Sequence, residues 1–215
     1  IANSGGISLT GTITGIGAVT QVASGSIVLN GFSTSFGSLA GAGAVNLGSA
    51  TLTLGGDNSS TSFNGIVSGS GGLTKAGTGS FTLTGANSYT GTTTVSAGTL
   101  QLGGTGMIAG TVLNDATFNN AGTVAGLVTN NATLNSMGTL SGGLANNGTV
   151  TLSGILTGAV SNSGTIALAG TTTGIGAVTQ AAGGNIALNG FDTRFGSLAG
   201  TGAISNGGGT LAVGD

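Results

Sequence analysis

The sequence predicts an all-β fold, a single-stranded parallel β-helix (β-solenoid) in which each coil lies on the one before it. Three observations point there. Between Val112 and Ile175 the residue types return at a fixed step of sixteen positions; the chain is rich in glycine and β-branched residues and has no proline; and its opening segment recurs near its end. A short fixed period means one structural unit laid repeatedly on itself, which is how solenoids are built.

The sixteen-residue region, 112–175, supplies the columns. Val112, Val128, Leu144 and Val160 open four blocks, and the same step relates Asn114, Asn130, Asn146 and Asn162. It also relates Thr117, Thr133, Thr149 and Thr165, and then Phe118, Leu134, Val150 and Ile166. Stacked coils lie about 4.8 Å apart, so these residues are expected to sit over one another as strand neighbours. Adjacent strand residues face opposite ways. The Phe118 column is therefore expected inside and the Thr117 column outside. Val124, Leu140 and Leu156 form a second apolar column, interrupted by Thr172. The glycine columns, Gly122 to Gly170 and Gly126 to Gly174, mark corners, where either a positive φ or a close backbone approach excludes a Cβ. The asparagine column fits a corner whose amides form a ladder along the axis.

Composition narrows the function. Only 3% of residues are charged, net charge is −2, and Lys75 and Arg194 are the sole cations, so nucleic-acid binding is excluded by the lack of basic residues to neutralise phosphates. With 48 glycines the chain has one mark of disorder, but its positive mean hydropathy, +0.46, and its strict β-branched register argue the reverse. No apolar run reaches the roughly 18 residues of a membrane helix, and there are no cysteines to pair. A solenoid grows by adding coils, so residues 1–215 are expected to form one continuous body.

Taken in order, the segment 4–55 returns as 163–214. Gly15 to Gln21 matches Gly174 to Gln180, and Phe36 to Gly41 matches Phe195 to Gly200, an offset of 159 residues. The chain thus reads as one whole unit of 159 and the start of another, an excerpt from a tandem array. Where the copies differ, Ser33 and Ser35 become Asp192 and Arg194, expected to form a weak surface ion pair. Phe32 and Phe36, with their copies Phe191 and Phe195, are expected to cap or fill wider coils, and Tyr89 is likewise expected to be a core aromatic rather than a ligand-stacking one.

Between these copies, residues 71–103 carry a distinct pattern. Gly71-Gly72-Leu73-Thr74-Lys75-Ala76-Gly77 leads through Phe81, Leu83, Asn87, Tyr89 and Gly91 to Val95, Leu100 and Leu102. This stretch resembles the autotransporter-associated β-strand repeat found in passenger domains of type V secreted bacterial proteins. The resemblance implies a right-handed single-stranded parallel β-helix on the outer surface of a Gram-negative bacterium, or secreted from it. The alternation of Leu73, Phe81, Leu83, Val95, Leu100 and Leu102 with Thr, Ser and Gly independently reads as strand.

The sequence offers no set of residues suited to catalysis. The acids are Asp57, Asp115, Asp192 and Asp215, with no Glu and no His, so catalytic residues are expected to be none. Asp115 stands in a column with Asn131, Asn147 and Ser163 and is expected to replace a ladder amide; Asp57 and Asp215 are turn formers. Metal ligands and cofactor-binding residues are likewise expected to be none. Pairs such as Thr149/Thr151 hint at an ice-binding face but do not recur coil after coil, and three glycosylation sequons, at Asn58, Asn131 and Asn147, are matched by chance. The function expected is structural and adhesive: a stalk or filament segment mediating adhesion to a host or abiotic surface, or self-association end to end or laterally. The alternatives are a fibre subunit polymerising end to end and a β-helix carbohydrate-active enzyme.

Overall fold

The computed structural model describes residues 1–214; Asp215, expected in a glycine-rich turn, lies outside them. The described residues contain strands and turns and no helix, and the strand pairs are parallel, stacked as a β-solenoid of about 12 turns. The composition explains the absence of helix: glycine, threonine, valine and asparagine all favour extended or turn conformations over helical ones.

Each turn has three sides. Side one includes Thr61–Phe63, Ser80–Leu83, Thr99–Leu102, Thr117–Asn120, Thr133–Ser136, Thr149–Leu152 and Thr165–Leu168, each hydrogen-bonded to the next. Side two runs through Ser26–Val28, Ala44–Asn46, Ile66–Ser68, Ala86–Asn87, Met107–Ile108, Thr123–Val124, Thr139–Leu140 and Ile155–Leu156. Side three runs through Leu52–Leu54, Leu73–Lys75, Thr93–Val95, Val112–Asn114, Val128–Asn130, Leu144–Asn146 and Val160–Asn162.

The register matches the sequence columns residue for residue. Phe118 stands opposite Leu134, Leu134 opposite Val150, and Val150 opposite Ile166, all buried. Thr117, Thr133, Thr149 and Thr165 form the neighbouring outward column, none of them buried. Val124, Leu140 and Leu156 supply the inner wall of side two. The coil step is sixteen only where the columns are strict. Elsewhere it widens, to twenty between Leu73 and Thr93 and to twenty-two between Gly41 and Phe63. Most of the large side chains lie in the wider coils, where Phe36, Phe63, Phe81, Tyr89 and Phe195 are buried and Phe32 and Phe191 pack against the core from its edge; Phe118 is buried in the strict region.

Of the two reasons offered for the corner glycines, the structure selects close backbone approach from Gly122 to Gly158 and a positive φ, 79°, at Gly174. A Cβ on Gly138 would collide with the carbonyl oxygen of Gly122, and one on Gly154 with the carbonyl oxygen of Gly138. Thr172, which breaks the second apolar column, is buried and bonds through its hydroxyl to that of Thr193 at 2.9 Å.

Adjacent positions on one strand are expected to respond very differently to substitution. Leu134→Ala removes a fully buried side chain and should cost about 2–5 kcal/mol in urea unfolding. Leu134→Asp should open the coil to protease around that site, because its charge has no partner inside. Thr133→Asp, one residue away and facing out, should change stability by less than about 0.5 kcal/mol. Equal responses at the two positions would overturn the inside/outside assignment.

Candidate interaction surface

Among the described residues no side of the shaft gathers the groups that chemistry needs; what it gathers is amides. On side three, alternation from Val112 carries Asn114 inward, so the asparagine column lies inside the shaft at the end of each strand, completely buried. Asn114 Nδ2 donates to Asn130 Oδ1 at 2.7 Å, Asn130 to Asn146 at 2.8 Å, Asn146 to Asn162 at 2.8 Å, and Asn162 to Gln180 Oε1 at 2.6 Å. The same Nδ2 atoms reach turn carbonyls, as Asn146 does at Gly148 and Thr165. The ladder thereby satisfies corner carbonyls that are shut off from water.

A second ladder runs outside the same corner, in the opposite direction. Ser163 Oγ donates to Asn147 Oδ1, Asn147 Nδ2 to Asn131 Oδ1, and Asn131 Nδ2 to Asp115 Oδ1 at 2.7 Å. Asp115 stands where the chain of donors ends, a position that requires an acceptor only, which an ionised carboxylate supplies. Its predicted role as a ladder member holds. A third amide pair, Asn135 Nδ2 to Asn119 Oδ1 at 2.9 Å, lies exposed on side one beside Gln101, which accepts from Thr82.

The other charged residues are scattered. Asp57 accepts from the backbone and hydroxyl of Ser59, as an aspartate in a turn does, and these bonds with help from Ser38 hold its carboxyl below the usual range. The expected ion pair between Asp192 and Arg194 is corrected. Asp192 Oδ1 instead accepts from Thr210 N, the bond that Ser33 Oγ makes with Thr51 N in the first copy. Arg194 donates through Nε and Nη2 to Gly214 O. Each charge caps a backbone group of the following coil, which a partner two residues away on the same strand does not offer. Among the described residues no three His, Cys, Asp or Glu side chains lie together as metal ligands would.

Two of the buried polar sites that escaped the sequence reading bear most on the core. Lys75 is buried, and its ammonium donates to the carbonyls of Ala76, Gly77 and Ala97, at 2.5, 2.8 and 3.3 Å. Three donors meet three acceptors, while burial pushes the ammonium below the usual lysine value. The signal was present: Lys75 is two residues after Leu73 on a strand, so it shares the inward face. Tyr89, buried in the same repeat, shares a hydrogen bond of 2.6 Å with the buried Thr93, and burial pushes its phenol up. The second missed site interrupts the inner column Leu83, Leu102, Asn120, Ser136, Leu152, Leu168. Asn120 Nδ2 donates to Ser136 Oγ at 3.0 Å, but its Oδ1 is buried without a partner.

The fold and this surface define a class: a parallel β-solenoid with an amide-lined, nearly uncharged exterior. Residues 73–102 match the family described as the passenger-associated-transport-repeat. An 86-residue stretch is 45% identical to an adhesin autotransporter, BmaC, of Brucella suis biovar 1 (strain 1330); it covers 37% of this chain and 2% of that protein. No solved structure is significantly matched by the chain. The chain therefore carries an autotransporter passenger repeat, within a segment of a secreted or Gram-negative outer-surface protein. No helix among the described residues is long and apolar enough to cross a membrane.

The two kinds of buried amide should separate on substitution. Asn130→Leu leaves ladder neighbours and turn carbonyls without partners and should lower unfolding free energy by more than about 2 kcal/mol. Asn120→Leu with Ser136→Ala continues the leucine column and removes an unpaired oxygen, and should raise it by about 1 kcal/mol. Denaturant midpoints of the two variants, read against the parent chain, test both.

Proposed function

We propose that this segment is a non-catalytic stalk of a surface protein, which extends from the bacterium and adheres to host or abiotic surfaces. The observation that carries this is the three-sided stack, whose exterior offers hydrogen-bonding amides and hydroxyls and, among the described residues, no assembled reactive groups. The matched repeat and the adhesin relative support it. The segment corresponds to a small fraction of that relative, so adhesion belongs here as a proposal for the stalk and not as a property carried over. Nucleic acid is no partner of so weakly charged a chain.

Self-association of separate subunits, end to end, is a second reading: the strand edge of a parallel stack pairs with a further parallel coil whether that coil comes from the same chain or from another copy.

Beads coated with the chain should be retained on epithelial monolayers or polystyrene above beads coated with an unrelated protein. Retention should change less than about twofold between 50 and 500 mM salt, since few charges take part. Retention at background on both surfaces sinks the adhesive stalk, and a steep loss with salt sinks the uncharged mode of contact. Mass measured by light scattering across a hundredfold concentration range decides the second reading: a constant monomer mass ends it.

A further inference from the structure

The two copies of the repeated segment do not face the same way. In the first copy Val19 to Gln21 pair with Leu39 to Gly41, and Gly41 pairs with Phe63, so these residues belong to side one. In the second copy their equivalents, Val178 to Gln180, pair with Val160 to Asn162, on side three. Ile27 lies on side two, while its copy Ile186 stands opposite Ile166 on side one. From Val19 to Ile166 the chain makes eight turns, returning to side one at residues 39, 61, 81, 100, 118, 134, 150 and 166. It then passes side two to reach side three at Val178, two-thirds of a turn further. The 159-residue offset therefore equals eight and two-thirds turns, a rise of about 42 Å at ~4.8 Å per turn.

What is displayed at these two angles is one surface. Each copy has a shallow groove over stacked glycines: Gly15, Gly17 and Gly37 in the first, of about 340 Å³, and Gly174, Gly176 and Gly196 in the second, of about 440 Å³. Beside each groove an exposed threonine, Thr20 or Thr179, projects outward. Ser35 and the carboxylate of Asp57 line the first groove and Arg194 the second, so the charges differ and what the two grooves share is uncharged: backbone amides, hydroxyls and an open floor.

We propose that residues 4–55 and 163–214 are two copies of one interaction surface, turned against each other by a third of the circumference, that each contact an extended, uncharged, hydroxyl-rich partner such as a neutral polysaccharide coat. This rests on the adhesive stalk proposed above and specifies how it makes contact. A unit with a whole number of turns would line its copies along one face, as a lateral zipper needs. A unit ending on a fraction turns each copy to a new side, so the stalk meets a surface whatever side it presents.

The test has two arms, and the absence of native cysteines makes both clean. For the phasing, Ser161→Cys with Thr179→Cys places two thiols on adjacent coils in register, and mild oxidation should close a disulfide. Ala167→Cys with Thr179→Cys should not close; it should only if the copies shared a side, and closure there overturns the proposal. For the contact, the chain should be retained on dextran-coated beads. A polyethylene glycol chain attached at Thr20→Cys or at Thr179→Cys alone should leave about half of that retention, and modification of both should abolish it. Loss from one single modification, or retention after both, overturns the proposal. Absence of binding to dextran by a chain that still adheres to cells or polystyrene overturns the proposed partner and leaves the stalk standing. Adhesion to none of these sinks the stalk reading, while the disulfides still decide the phasing.

Discussion

Everything in this molecule depends on the parallel backbone ladder that holds each residue over its counterpart one coil below. Hydrogen bonds from Thr133 to Ser136 lock side one onto Thr117 to Asn120 and onto Thr149 to Leu152, and the other two sides are locked in the same way. Because the spacing is fixed at about 4.8 Å, whatever a residue does it does toward its own column. Apolar columns make the core, amide columns make ladders, and glycine columns let the corner backbones touch.

The same constraint accounts for the near absence of charge. Like charges stacked about 5 Å apart repel by about 1 kcal/mol in water and more where water is excluded, and a repeated column multiplies that cost. A neutral amide both donates and accepts, so it repeats without penalty and gains from each added rung. Charges survive only singly. Asp115 heads a column of asparagines as its terminal acceptor, Asp192 caps the amide of Thr210, and Lys75 is clamped by three carbonyls. The 3% charged content is thus a consequence of strict register as much as of function.

The register was legible in the sequence wherever the period was strict, since from Val112 to Asn162 the columns of like residues could be read by counting. The outer ladder from Asp115 was legible for the same reason. Lys75 was not found because a lysine in a strand is ordinarily solvated, and only its alternation with Leu73 showed otherwise. Asn120 and Ser136 were hidden because they break an apolar column without continuing a polar one. The supposed Asp192–Arg194 pair failed because proximity in sequence was weighed above the coil above, where Thr210 and Gly214 present unpaired backbone groups. The angle between the two copies was out of reach, because it depends on summing coils whose lengths run from sixteen to twenty-two residues with no column to count by.

That variable coil length has a consequence of its own. In a solenoid of strictly uniform coils, a repeated segment returns to the same side only if its length is a multiple of the coil, so its facing is set by a single number. Here the wide coils around Tyr89 and Phe63 and the narrow ones after Val112 contribute unequally, and the facing of the second copy is set by their sum. Adding or removing one whole coil would leave the copies' relative angle unchanged and alter only their separation along the axis. Changing the number of sides crossed would rotate one copy against the other while the core columns stayed closed. Length and facing are therefore separable in this architecture, because the ladder enforces what lies over what and is indifferent to how many residues the corner between two sides takes to arrive.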